Sequence, residues 1–296
     1  MANPIKINNP LFAKHEITLS VLPLYLNHPI ISGNKAYKLK YNLQEAKNLR
    51  HKTILTFGGA FSNHIHAAAA ACKEARFNAI GIIRGEETLP LNPTLSFARQ
   101  CGMQLHYVDR ESYRTKTSPA FLEKLQQQFG EFYLIPEGGS NSPGVQGCTE
   151  ILSNSDHSQY DLICCPCGTG ATLAGISLSL KPNRQALGFA ALKGGEFLQA
   201  QVAQFREQLG PTPSSSSEPT ANFKIITDYH FGGFAKTNPE LMHFAGQFEK
   251  QTAIPLDPVY TAKMMYGIYD LAKKGFFKAG TSLLAIHTGG LQGRRK

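Results

Sequence analysis

The chain lacks any apolar run approaching the ~20 residues that a membrane-spanning helix needs. Its first segment, Met1 to Ile17, mixes Asn, Pro, Lys and Glu and has no apolar core of the kind found in a secretion signal. The chain also lacks a concentrated basic stripe, so its formal charge of +9 favours small anions over nucleic acid. We therefore expect a cytosolic (cytoplasmic) protein with no membrane or nucleic-acid partner.

A spaced disulfide framework is missing too, although the chain has six cysteines. Cys164, Cys165 and Cys167 crowd into one apolar stretch, which is not the pattern of a disulfide-stapled domain. Cys164 and Cys167 have the spacing of a redox or zinc pair, but no second pair accompanies them. We interpret them as packing at the end of a strand, expect a reducing compartment and predict no metal site.

What the chain does have is 296 residues, 42% of them hydrophobic, which is enough for a large core in one domain or two closely joined ones. Short apolar runs alternate with helical patterns. The predicted strands are 53–57, 79–83, 104–108, 132–135, 162–165, 187–190, 224–227 and 282–286. The predicted helices are 36–49, 64–75, 95–101, 120–129, 171–180, 196–209, 240–251 and 261–274. This alternation predicts an α/β fold with parallel sheets covered on both faces, and the serine-rich stretch Pro211 to Thr220 is expected to be an exposed loop.

Lys35 is the first candidate for chemistry. The segment 32–35, Ser-Gly-Asn-Lys, leads straight into a helical pattern, which predicts Lys35 at a helix N-terminus. There the helix dipole opposes a charged ammonium, and partial burial also lowers the pKa of a lysine. A neutral amine can condense with an aldehyde. An ordinary surface lysine fits the local pattern as well, because Lys38 and Lys40 lie nearby.

Two glycine-containing segments, 58–64 and 167–172, each join a predicted strand to a predicted helix. In the first, Ser62 and Asn63 are good N-cap residues, and the free N–H groups behind them suit a carboxylate. Its histidines, His64 and His66, occupy alternate helix positions that face different directions, which argues against a metal site. The second segment has the glycines and threonines of a phosphate cradle, but it is neither a Walker loop nor a full dinucleotide fingerprint. Each segment also fits a capped helix without a ligand.

Two later segments contain further candidates. Tyr260 ends Asp257-Pro258-Val259-Tyr260 before a helix, where it either acts as an acid or base in a cleft or packs under the helix start. Thr288 follows the last predicted strand, and ligands of parallel sheets bind at the carboxyl ends of strands. Its hydroxyl is suited to donate to a heterocycle nitrogen.

Taken in order, six segments resemble the 1-aminocyclopropane-1-carboxylate deaminase and D-cysteine desulfhydrase family, which are pyridoxal-phosphate enzymes of the tryptophan synthase β-like fold. The segments are SGNK at 32–35, GGAFSNH at 58–64, PEGGSN at 136–141, GTGAT at 168–172, DPVY at 257–260 and HTGG at 287–290. Each is weak alone, but six in order are specific, and the resemblance covers nearly the whole chain.

The resemblance implies the cofactor pyridoxal 5′-phosphate, bound covalently by Lys35. It implies that Asn63 contacts the 3′-oxygen of the cofactor and that Thr288 faces its pyridine nitrogen. The phosphate is then held by Gly168, Thr169, Gly170, Ala171 and Thr172. The substrate is then bound by Ser62, Asn63, His64 and Tyr260, and the implied catalytic residues are Lys35, Tyr260 and Ser62.

The implied fold has two open, twisted, mostly parallel sheets with helices on both faces. A larger cofactor-binding domain comprises residues 1–48 and 151–296, and a smaller inserted α/β domain comprises residues 49–150. The cofactor lies in the cleft between them. The resemblance also implies a homodimer.

The implied reaction is a β-elimination that converts D-cysteine to pyruvate, ammonia and sulfide. His64 favours it, because cyclopropane-ring deaminases typically have Gln at this position. The first alternative is deamination of 1-aminocyclopropane-1-carboxylate to 2-oxobutanoate and ammonia. The second alternative is cofactor binding with weak or no catalysis.

Three departures from the family motivate that second alternative. Tyr37 stands where members commonly have Arg, and Leu22 to Asn27 replaces a basic-acidic run. Phe234 stands where many members have a second active-site tyrosine, about 26 residues before the first. The loss of that hydroxyl weakens the expectation of a paired acid and base.

Overall fold

The computed structural model describes residues 2–153, 157–210 and 222–294, and within them it has the predicted α/β architecture. The described strands are β1 Ile5–Lys6, β2 Thr18–Pro23, β3 Thr53–Gly59, β4 Asn78–Arg84, β5 Met103–Val108, β6 Tyr133–Ile135, β7 Leu162–Cys167, β8 Gln185–Ala190, β9 Phe223–Ile226 and β10 Ser282–His287. The described α-helices are α1 Pro10–Lys14, α2 Asn34–Asn48, α3 Asn63–Glu74, α4 Pro93–Gln100, α5 Pro119–Phe129, α6 Ser142–Thr149, α7 Ala171–Ser179, α8 Leu198–Leu209, α9 Pro239–Thr252 and α10 Thr261–Lys273.

The larger sheet has the strand order β1-β2-β10-β7-β8-β9. Its strands pair in parallel, except that the short edge strand β1 runs antiparallel to β2. The sequence analysis predicted β7 to β10 but neither β1 nor β2. Because β10 pairs with β2 on one side and β7 on the other, the sheet joins the two ends of the described chain.

The smaller sheet has the order β5-β4-β3-β6, and all its pairings are parallel. Successive residues of β3 enter different apolar clusters: Ile54 packs with α3 and α4, whereas Leu55 and Phe57 pack on the opposite face with Leu125 of α5. This alternation buries the sheet on both sides. The predicted fold class is therefore confirmed, with a mixed sheet of six strands and a parallel sheet of four.

Asn or Ser followed by Pro starts several helices. Asn92, Ser118 and Asn238 accept hydrogen bonds from backbone N–H groups of α4, α5 and α9, and a proline stands in the first turn of each helix. Proline is favourable there because its missing N–H has no intrahelical partner in any case. These three helices consequently begin one or two residues earlier than the apolar periodicity alone indicated.

The four strands of the smaller sheet all lie between residues 49 and 150, and we propose the same two domains as before, 1–48 with 151–296 and 49–150. The predicted loop at Pro211 to Thr220 lies outside the described residues. No helix in the described part of the chain is long and apolar enough to cross a membrane. Four of the six segments lie at the carboxyl ends of β3, β6, β7 and β10, and the other two lead into α2 and α10.

Candidate active site

Lys35 lies in the first turn of α2, as predicted, and the turn before it is pressed against another candidate segment. Gly33 has φ +67°, and a Cβ atom on it would lie 1.9 Å from the carbonyl oxygen of Thr288. The backbone N–H of Asn34 donates to that same oxygen at 3.2 Å. The close approach of the two backbones therefore requires glycine at position 33 and sets the position of Lys35 relative to the 287–290 segment.

The side-chain amide of Asn34 connects Lys35 to the 168–172 loop. Its Nδ2 donates to Oγ1 of Thr172 at 2.8 Å, and its Oδ1 accepts from Nζ of Lys35 at 2.9 Å. The Asn34 side chain is buried, so this bridge is shielded from water. The sequence analysis quoted Asn34 within its motif but gave it no role.

The electrostatic environment of Lys35 favours its neutral form. Burial lowers its pKa to about 7, and the nearby charge of Lys38 contributes in the same direction. Cys148 and Asp257 act in the opposite direction and are weaker than the burial effect. The predicted lowering of the pKa is confirmed, and an amine of this kind is poised to attack an aldehyde at neutral pH.

Lys38 is a second buried lysine of α2 that the sequence analysis did not select. It is 3% exposed, and its Nζ donates to the carbonyl oxygen of Gly138 at 3.0 Å and to Oγ of Ser140 at 3.4 Å. Oγ of Ser140 in turn lies 2.5 Å from Oγ1 of Thr169. The amine of Lys38 thus lies behind the 168–172 loop. The sequence could have indicated Lys38 through its spacing from Lys35, because residues three apart share a helix face.

The 168–172 loop ends in the N-terminus of α7. Gly170 caps that helix with φ +83°, and a Cβ on Gly168 would lie 3.0 Å from Cε1 of Tyr260. The loop therefore offers backbone N–H groups, the hydroxyls of Thr169 and Thr172, and the positive end of a helix. Together with Lys38, this is a suitable arrangement for a phosphate group.

Ser62 and Asn63 begin α3, as predicted. Oγ of Ser62 accepts from the backbone N–H groups of His64 and Ile65, both at 3.2 Å. Oδ1 of Asn63 accepts from Nε2 of Gln292, and a Cβ on Gly290 would lie 2.6 Å from Nδ2 of Asn63. Asn63 is thereby placed against the loop that follows β10.

His64 begins the same helix but directs its imidazole towards β3. Its Nε2 lies 2.8 Å from Oγ1 of Thr56, whose hydroxyl donates to the carbonyl oxygen of Ile135 at 2.7 Å. We therefore assign the proton to Nε2, which leaves Nδ1 as a buried acceptor without a hydrogen-bond partner among the described residues. Burial, with Lys35 and Lys38 nearby, holds the pKa of His64 well below its usual value. The ring is neutral, and its predicted role in substrate binding stays a prediction.

Tyr260 immediately precedes α10, and its backbone is fixed by a buried carboxyl group. Oδ1 of Asp257 accepts from the N–H groups of Val259 at 3.1 Å and Tyr260 at 2.6 Å. Burial raises the pKa of Asp257 to about 7 and also raises that of the Tyr260 phenol. The ring of Phe234 meets the ring of Tyr260 edge-on, with centroids 5.9 Å apart. Phe234 therefore contacts Tyr260 without offering a second hydroxyl.

The other two departures from the family pattern contact each other. Nδ2 of Asn27, at the end of the altered 22–27 segment, donates to the hydroxyl of Tyr37 at 3.3 Å. Oδ1 of Asn27 accepts from the backbone N–H of Ala2 at 2.7 Å. Tyr37 and the altered segment thus form one neutral hydrogen-bonded unit.

Five of the six cysteines are buried, and Cys101 is partly exposed. All six are free, and Cys164, Cys165 and Cys167 are buried within β7, in agreement with the packing interpretation. In the described ranges, no group of three or more His, Cys, Asp or Glu side chains is arranged to hold a metal ion.

Comparison with known proteins identifies the class. Residues 8–289 match the model of the pyridoxal-phosphate dependent enzyme family. A putative 1-aminocyclopropane-1-carboxylate deaminase of Pyrococcus horikoshii is 32% identical over 89% of this chain and 81% of its own length. The bifunctional D-cysteine desulfhydrase/1-aminocyclopropane-1-carboxylate deaminase of Arabidopsis thaliana is 31% identical over 89% of this chain and 70% of its own length. A solved structure of an ACC deaminase homologue has a TM-score of 0.84 at 26% identity and covers 99% of this chain and 90% of that one.

The chain belongs to the pyridoxal-phosphate dependent enzyme family. Within that family its relatives are named for 1-aminocyclopropane-1-carboxylate deaminase and D-cysteine desulfhydrase, so the resemblance inferred from the six segments is confirmed. The predictions of a pyridoxal-phosphate cofactor and of a lyase or deaminase that acts on a small amino acid are confirmed with it.

The described residues fit this cofactor. Lys35 supplies an amine of low pKa, and the phosphate matches the 168–172 loop with Lys38 behind it. The close approach of Gly168 to Tyr260 places the loop beside the phenol, Thr288 lies against the turn before Lys35, and Asn63 lies against Gly290. When bound, pyridoxal phosphate supplies a ring that withdraws electrons from the amino-acid substrate.

The low pKa of Lys35 leads to a measurable pH dependence. Because the amine becomes neutral through a pKa of about 7, its rate of capture of pyridoxal phosphate should rise through pH 7 and level off above about pH 8. Stopped-flow absorbance with cofactor-free protein measures this rate. In Lys38→Met the midpoint should move upward, because Lys38 helps to lower the pKa. A rate that still climbs towards the ordinary lysine value near ~10.4 would contradict the assignment.

Proposed function

We propose that the enzyme is a D-cysteine desulfhydrase, which converts D-cysteine and water to pyruvate, ammonia and sulfide. The observation that carries the proposal is the unequal supply of acid and base groups around Lys35. About half of the Lys35 amine is neutral near pH 7, whereas Phe234 offers no hydroxyl where a second phenol would stand beside Tyr260. An elimination that begins with loss of an α-proton needs one base of this kind.

In this proposal three groups of the site act on the substrate. Nζ of Lys35 holds the cofactor and takes the α-proton of the substrate. The N-terminus of α3 at Ser62 and Asn63 binds the substrate carboxylate, since the positive end of the helix dipole favours an anion there. Tyr260 stays protonated because its pKa is raised, so its hydroxyl is available to donate to the departing sulfur.

The remaining assignments concern the cofactor. We propose that Gly168 to Thr172 bind its phosphate and that Asn63 contacts its 3′-oxygen. We propose that the neutral hydroxyl of Thr288 faces the pyridine nitrogen. Such a partner leaves that nitrogen largely unprotonated and limits how much negative charge the ring accepts.

The main alternative is deamination of 1-aminocyclopropane-1-carboxylate, the activity in the name of the Pyrococcus relative. That substrate has no α-proton, so a nucleophile or base such as Tyr260 must act on the ring. The replacement of the second phenol by Phe234 counts against it. A homodimer and a cytosolic location are also proposed, and light scattering of the purified protein tests the first.

Assays with both substrates separate these activities. We expect sulfide and pyruvate from D-cysteine at a rate at least about tenfold above any 2-oxobutanoate formation, because only the first substrate offers an α-proton. Sulfide, pyruvate and 2-oxobutanoate are measured with Lys35→Ala protein as the blank. Formation of 2-oxobutanoate without sulfide would establish the alternative. A normal cofactor spectrum with neither product would favour a binding protein with weak or no catalysis.

A further inference from the structure

Lys263, in the first turn of α10, has an ammonium group that is buried against backbone carbonyls. The residue is 1% exposed. Its Nζ donates to the carbonyl oxygens of Ala191 at 3.0 Å, His230 at 2.9 Å and Gly233 at 2.8 Å. An ammonium has three N–H donors, so each is matched to one carbonyl oxygen.

The surroundings of Lys263 make a positive charge unfavourable there. Burial lowers its pKa to about 8, and the charged group that opposes this effect is Asp257. A cation in the first turn of a helix is also opposed by the helix dipole. An apolar side chain would fill the same space without losing hydration. The three carbonyl contacts are therefore what this lysine specifically contributes.

Two of those carbonyls belong to a turn with unusual backbone angles. Phe231, Gly232 and Gly233 have φ values of +51°, +87° and +124°. A phenylalanine in the left-handed region is strained, and strained turns persist only where their surroundings fix them. Lys263 contacts the turn at both ends, through the carbonyls of His230 and Gly233.

The third carbonyl, that of Ala191, connects the turn to the 168–172 loop. Ala191 follows β8, and its N–H donates at 2.8 Å to the carbonyl oxygen of Cys167, which immediately precedes the 168–172 loop. The residue after the turn is Phe234, whose half-exposed ring lies against Tyr260. Lys263 thus links the residue before the 168–172 loop to the segment that contains Phe234.

We propose that Lys263 is a positioning residue that fixes the 230–233 turn so that Phe234 forms an apolar wall beside Tyr260. This wall limits the size of the amino-acid side chain that the enzyme accepts. The inference rests on the proposed function in one respect, namely that the substrate side chain lies next to Tyr260. Lys263 acts through Phe234 and touches neither substrate nor cofactor.

The direct test is Lys263→Met, which keeps the length of the side chain and removes its donors. Hydrogen exchange followed by mass spectrometry should show amides 229–236 exchanging at least about tenfold faster than in the unaltered protein, with and without cofactor. Lys273→Met is the matched control, because Lys273 is exposed in the last turn of the same helix. It should leave exchange in 229–236 unchanged.

A second measurement tests whether Lys263 acts through Phe234. Binding of D-alanine and D-methionine is followed by the change in cofactor absorbance. Lys263→Met and Phe234→Ala should each reduce the preference for the smaller amino acid about tenfold, and the double variant should show no further loss. Additive losses, or unchanged exchange in 229–236 in a folded Lys263→Met protein, would overturn the proposal.

Failure of Lys263→Met to fold and failure of the unaltered protein to bind a D-amino acid have different consequences. If Lys263→Met does not fold, Lys263→Gln retains two N–H donors and should give an intermediate exchange rate, whereas an unaltered rate would again overturn the proposal. If the unaltered protein binds no D-amino acid, the proposed function fails. The exchange comparison still judges Lys263 in that case, because it requires neither substrate nor turnover.

Discussion

The Lys35→Ala protein is expected to lose the absorption band of lysine-bound pyridoxal phosphate at about 410–430 nm and to lose activity by at least about 10³-fold. The physical reason is that the side chain supplies both the covalent attachment and the base. Its pKa of about 7 makes it reactive at neutral pH, and Asn34 holds its Nζ at 2.9 Å from Oδ1. Absorbance spectra and the sulfide assay measure the two losses.

Two other lysines of α2 make this experiment discriminating. Lys47 is exposed in the last turn of the same helix, so Lys47→Ala should keep both band and activity. Lys38 is buried and also has a lowered pKa, so it is the chemical competitor for the aldehyde. A band that survives Lys35→Ala but disappears in Lys38→Ala would move the covalent attachment to Lys38.

The second large effect is expected from Gly33→Ala, although this change adds only a methyl group. The new Cβ would lie 1.9 Å from the oxygen of Thr288 and 2.4 Å from its carbonyl carbon, so the backbones of both segments must separate. That shift breaks the contact from the N–H of Asn34 and moves Asn34, together with Lys35, away from Thr172. We expect cofactor affinity to fall at least about 100-fold, since a 1 Å misplacement in a site has effects of this order.

Gly102→Ala separates the steric clash from the cost of the backbone angle. Gly102 has φ +89°, and a Cβ there meets nothing within 4 Å. Both variants therefore carry a penalty for positive φ of at least about 1–2 kcal/mol, but only Gly33→Ala carries the clash. Thermal unfolding and cofactor titration of both proteins measure the difference. Equal cofactor affinity in the two variants would contradict the proposed coupling between positions 33 and 288.

The elements that could be predicted from sequence were those with a strong period or a buried apolar run. All eight predicted strands exist with small shifts, since each contains apolar residues that pack into a core cluster. β1 was missed because it has two exposed residues and only one partner strand. The short helices α1 and α6 were missed for lack of apolar periodicity, although Asn9 and Asn141 provide the caps.

Site residues could be predicted where they lie in contiguous sequence motifs. Those that depend on contacts between distant segments could not be predicted as well. Lys35, Asn63 and Tyr260 stood in recognisable segments. Lys38 matters because of its contacts with Gly138 and Ser140, which lie 100 and 102 residues further along the chain. Lys263 needs carbonyls from two loops that no local pattern brings together. Composition does not reveal which lysine is buried, because lysines are usually exposed.

The placement of β10 between β2 and β7 has a consequence for the order in which the molecule is made. Synthesis proceeds from the N-terminus, so residues 282–288 leave the ribosome after every other segment that lines the site. Until then the facing edges of β2 and β7 have no partner, and the oxygen of Thr288 that receives the N–H of Asn34 is absent. Nascent chains that end before residue 282 should therefore expose two unpaired strand edges and depend on chaperones, and pyridoxal phosphate can be loaded only after residues 282–288 have been made.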